Sequence, residues 1–337
     1  MPGFSLPSKQ KAILTPTMGP ELNLHETIID VTPPAIGEVV VRIAWTGLCG
    51  SDVAFSIGPK PGFPTHNHIA GHEGIGHIVQ SRDPADLGKP VALRYMAYSC
   101  QACKYCLRGL YTSCPKRISF PQHHNGSFQQ FATVPRHTLI PLPDYVFDVD
   151  GAEGGVSPAV YTAALCSGSV AVKALKAANP KVGDVVVVIG IGGAIGGLTG
   201  LIAKHVYAAN VIGVDVSSKA GDPSLNGATD NAVCDVFLSV PETEVRERRY
   251  ASGLMQACRR LRGPNEALND HAADSLICCS NRIAGFKNLV DYVCEGGTII
   301  INGSPSDGDR LDFPLFDVVE RQINIHGHLM GGVAEMY

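Results

Sequence analysis

A glycine-rich turn between an apolar strand and a helix most constrains the fold of this 337-residue chain. Val185–Ile189 are all β-branched, glycines recur through Gly190–Gly197, and apolar residues at helical spacing cover Ile195–Tyr207. The next apolar strand, Val211–Val214, ends at Asp215. Short apolar strands that alternate with helices pack into a parallel sheet with helices on both faces. The sequence therefore predicts an α/β fold with a doubly wound parallel sheet.

This turn is suited to a dinucleotide phosphate, because bare backbone can approach a pyrophosphate and a helix N-terminus offers unpaired N–H groups. A strict G-x-G-x-x-G pattern fails at Ile195, whereas a G-x-x-G-x-x-G pattern fits. Asp215 can hydrogen-bond ribose hydroxyls and would repel a 2′-phosphate, which favours NAD(H) over NADP(H). The alternative is a tight turn without a ligand. The cofactor-binding candidates are Gly190, Gly192, Gly193, Ala194, Ile195, Gly196 and Asp215.

Apolar patterns assign further elements along the chain. The predicted strands are Val39–Trp45, Gly76–Gln80, Phe128–Thr133, Asp274–Cys278, Gly297–Ile301 and Ile323–Leu329. The predicted helices are Val160–Ala178, Glu242–Leu261 (expected to be exposed and charged) and Ile283–Cys294. The first half is thus β-rich and the second half alternates. We expect one domain over residues 1–160 and a parallel-sheet domain over 161–337.

Four cysteines at close spacing predict a metal site. They are Cys100, Cys103, Cys106 and Cys114. Four thiolates on one loop can close a tetrahedral shell around zinc with no open position, so this zinc would be structural. The alternative is four unligated thiols on a loop. The spacing is strong evidence for a metal and none for catalysis.

Three scattered residues form a second candidate metal site. They are Cys49, just after a strand, His72 before Glu73-Gly74, and Cys166 in a helical pattern. Two thiolates and one imidazole would leave the fourth position of zinc open, as catalytic sites require. Taken singly, each residue is more often part of a core or a surface.

Composition excludes several classes of partner. The net charge is −4 and no long basic run occurs, which disfavours nucleic acid and anionic membranes as partners. No signal-peptide core or membrane-length apolar run is found, so a cytoplasmic location is the default. In such a protein, 11 cysteines point to thiols or metal ligands before disulfides.

In their order and in the residues they contain, these motifs resemble those of the zinc-dependent medium-chain alcohol dehydrogenases, most closely the yeast-type fungal branch. The resemblance covers nearly the whole chain. It rests on Cys49–Asp52, Gly71–Glu73, the four-cysteine loop, Gly126–Thr133 and Cys166–Gly168. It implies a GroES-like catalytic domain, a Rossmann coenzyme domain, two Zn²⁺ per chain, NAD(H) and a small-molecule alcohol or carbonyl substrate, with the active site between the domains.

The resemblance also implies roles for individual residues. Asp52 would hydrogen-bond His72, Glu73 would lie behind the catalytic zinc, and Ser51 would take the proton of the alcohol. Hydride would then pass between the alcohol carbon and the nicotinamide. Val170 stands where relatives pack a threonine on the nicotinamide. Further cofactor contacts are expected at Lys219 and Gly303.

Several positions depart from the family pattern. Gly50 and Ala54 replace the histidines of the usual proton relay, for which His66 or His68 could substitute. Lys60 and Tyr95 replace pocket-narrowing tryptophans, which predicts a substrate larger or more polar than ethanol. Relatives also continue past the position of Tyr337 with a segment that returns to the catalytic domain, and we expect that segment to be missing.

The leading interpretation is an active dehydrogenase, with fungal secondary metabolism as one attractive setting. Two alternatives remain: a catalytically impaired or truncated protein that binds NAD and zinc, and a zinc-independent quinone or enoyl reductase on the same fold. The complete set of zinc ligands argues against the second. Because relatives pair through an edge strand of the coenzyme sheet, we expect a homodimer or homotetramer joined at Gly297–Ile301.

Overall fold

The computed structural model describes residues 4–58, 62–148, 156–225, 232–240, 244–263, 272–305, 309–332 and 335. These residues divide into two compact units. The first contains the described residues of Met1–Cys166 and of Met330–Tyr337, and the second those of Ser167–Leu329. The sequence places the boundary after residue 160 and all later residues in one domain. In the structure the division falls after Cys166, and the last residues return to the first unit.

Short strands dominate the first unit. They are β1 (Lys9–Thr17), β2 (His25–Asp30), β3 (Glu38–Thr46), β4 (His66–His68), β5 (Glu73–Gln80), β6 (Pro90–Arg94), β7 (Met96–Tyr98), β8 (Ile118–Ser119), β9 (Phe131–Pro135) and β10 (Ile140–Pro141). A five-stranded antiparallel sheet has the order β10-β6-β5-β3-β9, and a three-stranded sheet the order β2-β1-β4. Helices α1 (Gly50–Ile57) and α2 (Pro158–Tyr161) belong to the same unit.

Two of the predicted strands of this unit are confirmed as β3 and β5. The third, Phe128–Thr133, is only partly correct, because β9 begins at Phe131. The residues just before β9 are engaged elsewhere: the backbone N–H groups of Gly126, Ser127 and Phe128 donate to carbonyls in the loop Ile69–Gly71. These bonds brace the loop that carries His72.

The second unit is built around a six-stranded parallel sheet, which confirms the predicted doubly wound α/β fold. Its strands are β11 (Val185–Ile189), β12 (Asn210–Asp215), β13 (Val236–Ser239), β14 (Ala273–Cys278), β15 (Val293–Ile301) and β16 (Asn324–Gly327), in the order β13-β12-β11-β14-β15-β16. Its helices are α3 (Ser167–Ala178), α4 (Ala194–His205), α5 (Glu244–Arg262) and α6 (Leu315–Glu320).

Both faces of this sheet are buried at its centre. Along β11, Val185, Val187 and Ile189 pack into one apolar cluster, and Val186 and Val188 into another. Every residue of β11 is at most 5% exposed. A parallel strand covered by helices on both faces has apolar residues at every position. The strand is therefore easily recognised in the sequence.

The two helices predicted over Val160–Ala178 and Ile283–Cys294 are wrong as single helices. The first is broken at Cys166, whose backbone (φ −125°, ψ −78°) lies outside the helical region. The second consists of two 3₁₀ turns, Ile283–Phe286 and Leu289–Tyr292, separated by the left-handed residue Asn288. The following Val293 already belongs to β15.

Two further expectations need correction. Helix α5 is not exposed all round, because Leu254 and Cys258 are fully buried in the core of the second unit. The strand expected to form the edge, Gly297–Ile301, lies inside the sheet, since β16 pairs with it on the outer side. Among the described residues, no single helix could cross a membrane by length and hydropathy; only the bent pair Pro158–Leu165 with Ser167–Ala178 meets that test.

An ion pair joins two loops of the first unit, and we expect it to stabilise the fold. Both carboxylate oxygens of the buried Asp86 accept hydrogen bonds from Arg136 at 2.5 Å. These bonds lower the pKa of Asp86 to about 2, against an ordinary value of 3.8. A depressed carboxylate pKa stabilises the fold above the ordinary pKa, and this contribution is lost as pH falls through the native value.

Asp86→Asn should therefore lower the free energy of unfolding by about 1–2 kcal/mol at neutral pH, allowing for the half-exposed Arg136 side chain. Urea denaturation should show a constant difference from the parent between pH 7 and 5 and a shrinking one below about pH 4. Asp30→Asn is the control, because the Lys9–Asp30 pair is exposed. Equal effects of both substitutions would contradict this interpretation.

Candidate functional site

The structure brings Cys49, His72 and Cys166 together in the first unit. Cys49 caps the N-terminus of α1, His72 immediately precedes β5, and Cys166 lies at the break before α3. The two sulfurs are 3.9 Å apart. Tetrahedral zinc with Zn–S distances of about 2.3 Å separates two sulfurs by about 3.8 Å. One donor atom from each of these residues, and one from Glu73, lie within 4.8 Å of one another.

Asp52 fixes the orientation of the imidazole. Its Oδ1 atom lies 2.8 Å from Nδ1 of His72 and also accepts from the backbone N–H of Gly71 at 2.9 Å. Its Oδ2 atom accepts from the backbone N–H of Cys49 at 3.1 Å. Both side chains are 1% exposed. Because Nδ1 is occupied, Nε2 is the ring atom available to a metal, which is the usual arrangement of a carboxylate–histidine–zinc site.

The hydrogen bonds among these side chains link their protonation equilibria. Hydrogen bonds from Cys166 and His72 lower the pKa of Cys49 to about 4, against the opposing effect of burial. The bond to Cys49, together with burial, raises the pKa of Cys166. Burial disfavours a charged His72, but its bonds to Asp52 and Cys49 raise the pKa of His72 to about 10. These shifts describe a thiolate at Cys49 paired with a protonated His72, beside a neutral Cys166. Zinc would displace the protons of His72 and Cys166, and the three donors fit zinc with Glu73 beside the position that they leave over.

Glu73 lies beside these ligands in a nearly closed environment. It is 5% exposed, and burial followed by the charge of Cys49 raises the pKa of Glu73 to about 7. A Cβ atom at Gly47 would lie only 2.1 Å from Oε2 of Glu73, so Gly47 leaves the room that this carboxyl group occupies.

The four cysteines predicted to bind structural zinc also converge, with their donor atoms within 4.8 Å of one another. The sulfur of Cys106 lies 3.5 Å from that of Cys103 and 4.0 Å from that of Cys100. Backbone N–H groups of Ala102 and Cys103 point at the sulfur of Cys100 and lower the pKa of Cys100 to about 6. The set fits a closed tetrahedral zinc site.

In the second unit, the glycine-rich turn connects β11 to α4 as the sequence predicts. Gly190 has φ +84°, a conformation that disfavours any residue with a side chain. A Cβ atom at Gly196 would lie 2.0 Å from the carbonyl oxygen of Gly190, so this glycine permits close helix–strand packing. Gly193 caps α4 without a side-chain hydrogen bond, and Ala194 and Ile195 open the helix. The turn fits a pyrophosphate.

Asp215 ends β12 beside this turn. Its Oδ2 atom accepts from the backbone N–H of Gly192 at 2.9 Å and lies 3.5 Å from Nζ of Lys219. In the structure, Asp215 thus contacts both the glycine-rich turn and Lys219. Gly303 follows β15, where an added Cβ atom would meet the carbonyl oxygen of Ser280 at 1.7 Å, and Val170 is buried in α3.

The structure describes some of the remaining predicted site residues and leaves one outside the described part of the chain. Ser51 lies in α1, and its backbone N–H contacts the sulfur of Cys49. Tyr95 follows β6 with its ring centroid 5.8 Å from that of His72. Lys60 lies outside the described residues. Of the candidate relay histidines, His66 is exposed, whereas His68 is 1% exposed and its ring nitrogens have no hydrogen-bond partner among the described residues.

Sequence reasoning missed one buried cation, Arg94. This side chain is fully buried and donates to the backbone carbonyls of Gly332 at 2.9 Å and Gly331 at 2.6 Å. It therefore holds the returning C-terminal residues onto the first unit, directly across the β5–β6 ladder from Glu73. The sequence contains a signal for this residue, because Arg94 directly follows the apolar residues Val91–Leu93. A charged residue in such a strand is seldom buried unless it has partners.

Comparison with known proteins supports this assignment of the fold. Residues 35–144 match the family described as the alcohol dehydrogenase GroES-like domain. An alcohol dehydrogenase of Geobacillus stearothermophilus is 27% identical over 308 residues, 89% of this chain and 79% of that protein. Alcohol dehydrogenase 1 of Neurospora crassa is 26% identical over 334 residues, 98% of this chain and 86% of that protein.

A solved structure shares the architecture. The cobalt- and zinc-bound thermostable alcohol dehydrogenase of Pyrobaculum aerophilum superposes with a TM-score of 0.73 at 20% identity, covering 97% of this chain and 86% of that one. At this identity the structural similarity shows a shared fold, and the family match concerns residues 35–144.

Proposed function

We propose that this chain is a zinc- and NAD(H)-dependent dehydrogenase that interconverts an alcohol with an aldehyde or ketone. The observation that carries the proposal is the convergence of Cys49, His72 and Cys166 on one point, with Asp52 bonded to the far nitrogen of the imidazole. Three protein ligands with an open position distinguish a catalytic from a structural zinc site.

Different residues of this chain would bind the metal and accept the proton. Zinc held by Cys49, His72 and Cys166 would supply Lewis acidity, and NAD⁺ would accept hydride. In the oxidation, the carbinol C–H bond would break and its electron pair would leave with the hydride. The hydroxyl proton would pass to Ser51, so that an alcohol and NAD⁺ would give a carbonyl compound, NADH and one proton. Asp52 acts by keeping His72 oriented.

Among the described residues, neither ring nitrogen of His68 has a hydrogen-bond partner, so His68 is not bonded to Ser51. The position of the usual relay residue is Gly50, where an added Cβ atom would meet nothing within 4 Å. His68 is buried. We therefore propose that the proton leaves Ser51 through water, which can enter the open space beside Gly50.

We extend the proposal to features that the sequence suggests. Two zinc ions per chain follow from the two separate donor sets. Tyr95 at the pocket position supports a substrate larger than ethanol. A homodimer or homotetramer would use the outer strand β16, which is the edge of the sheet next to β15. We also propose the yeast-type fungal branch, a secondary-metabolic setting and a cytoplasmic location, on the strength of the sequence resemblance.

A spectrophotometric screen tests the proposal. Purified protein loaded with zinc is incubated with NADH or NADPH and a panel of aldehydes and ketones, and oxidation of the coenzyme is followed. We expect turnover with at least one carbonyl compound and a preference for NADH, because Asp215 would repel a 2′-phosphate. NADH binding and full zinc content without any turnover would instead favour the impaired binding protein.

A further inference from the structure

A column of three aromatic rings ends at the imidazole of His72. The rings of Phe63 and Phe55 stack with centroids 4.4 Å apart, and Phe55 lies nearly parallel to Tyr95 at 5.9 Å with an interplanar angle of 18°. The rings of Tyr95 and Phe55 lie 5.8 and 6.2 Å from the ring of His72. All three residues are half-buried, so part of each ring borders open space.

The same column lies next to the proposed proton acceptor. Ser51 and Phe55 are four residues apart in α1 and therefore share one face of the helix. The adjacent face carries Asp52 and Ser56, which are both 1% exposed and point into the unit. The hydroxyl group of Ser51 and the ring of Phe55 thus lie on one side of α1, and the ligand cluster lies at its N-terminus.

We propose that Phe55 and Tyr95 select substrates in which an aryl ring is attached to the carbinol or carbonyl carbon. This inference rests on the proposed function and names its substrate class. A substrate oxygen held among Cys49, His72 and Cys166, within reach of Ser51, places the carbon substituent next to these two rings. Flat aromatic faces pack against a planar ring in offset or edge-on geometry more favourably than against a saturated ring of equal size.

The three rings of the column carry no charge of their own, which disfavours a polyoxygenated substrate. Tyr95 offers a single hydroxyl group. Phe55 and Phe63 offer no hydrogen-bonding atom. Among the described residues of this column, the chemistry is therefore apolar and aromatic.

The experiment compares matched ring substrates in the zinc-loaded protein. Specificity constants are measured for benzaldehyde and cyclohexanecarbaldehyde, and binding of benzamide and cyclohexanecarboxamide to the NADH complex is followed by coenzyme fluorescence. The binding pair separates recognition from the intrinsic reactivity of the two aldehydes. We expect benzamide to bind about 2- to 12-fold more tightly, the range found for aromatic pairs beyond their buried area.

Substitutions test which residues cause the preference for an aryl ring. Phe55→Leu and Tyr95→Leu should each reduce the aryl preference severalfold in both assays, whereas Tyr95→Phe should retain it. The control is Phe4→Leu, a half-buried ring that packs against Phe131 in an apolar cluster that contains none of the ligands. An unchanged preference in Phe55→Leu, or equal binding of the two amides to the parent protein, would overturn the inference. Failure of every carbonyl compound to oxidise NADH would instead remove the proposed function itself.

Discussion

Replacing His72 or Cys49 with alanine is expected to reduce bound zinc from two ions to one per chain and to abolish NADH-dependent carbonyl reduction. Each side chain would hold the catalytic ion directly, whereas the four-cysteine site shares no residue with it. Removing a Lewis acid worth several kcal/mol should lower turnover by about a thousandfold or more. Elemental analysis and steady-state kinetics on the same preparations measure both effects.

Cys258→Ala is the matched cysteine control, since Cys258 is fully buried in the apolar core of the second unit. It should keep two zinc ions and near-parental turnover and lose only about 1 kcal/mol of stability, through a small cavity. Retained turnover in either ligand variant would refute the assigned site. Loss of both zinc ions in His72→Ala would show that the two sites are not independent.

Gly196→Ala is expected to disrupt coenzyme binding far more than Gly197→Ala, although the two glycines are neighbours in α4. A Cβ atom at Gly196 would lie 2.0 Å from the carbonyl oxygen of Gly190, so helix and turn must separate. The dissociation constant for NADH should rise by about tenfold or more, which corresponds to about 1.4 kcal/mol. Overpacking should also destabilise the protein by about 1–3 kcal/mol.

At Gly197, an added Cβ atom would meet only the carbonyl oxygen of Ile191 at 3.5 Å, an ordinary contact. Alanine there should leave NADH binding unchanged and stabilise the helix by up to about 1 kcal/mol. Fluorescence titration with NADH and thermal denaturation distinguish the two variants. Equal NADH affinity in both would mean that the turn does not contact the coenzyme.

Much of the fold could be predicted because its strands carry strong local patterns. Val185–Ile189 is apolar throughout since both faces of the sheet are covered, and Asp215 falls at the end of β12. The failures arose where tertiary contacts override local preference. An Ala-rich helical pattern continues through Cys166, but the backbone departs from helical geometry at that residue, where its sulfur approaches Cys49.

Other errors concern information that a single sequence does not contain. Nothing in Gly297–Ile301 shows that a later strand, β16, will pair on its outer side and become the edge. The metal ligands could be proposed because cysteine and histidine in these motifs are distinctive. Phe55 could not, because an aromatic residue at helical spacing usually belongs to a core, and only the distances to Tyr95 and His72 place it beside the ligands.

Removal and restoration of metal tests the central claim most directly. The protein is dialysed against a strong chelator until elemental analysis finds no zinc, and NADH-dependent carbonyl reduction is measured before and after zinc is returned. We predict that activity disappears with the metal and recovers when zinc is added back. Full activity in protein shown to contain no metal would contradict the claim that Cys49, His72 and Cys166 form a catalytic zinc site.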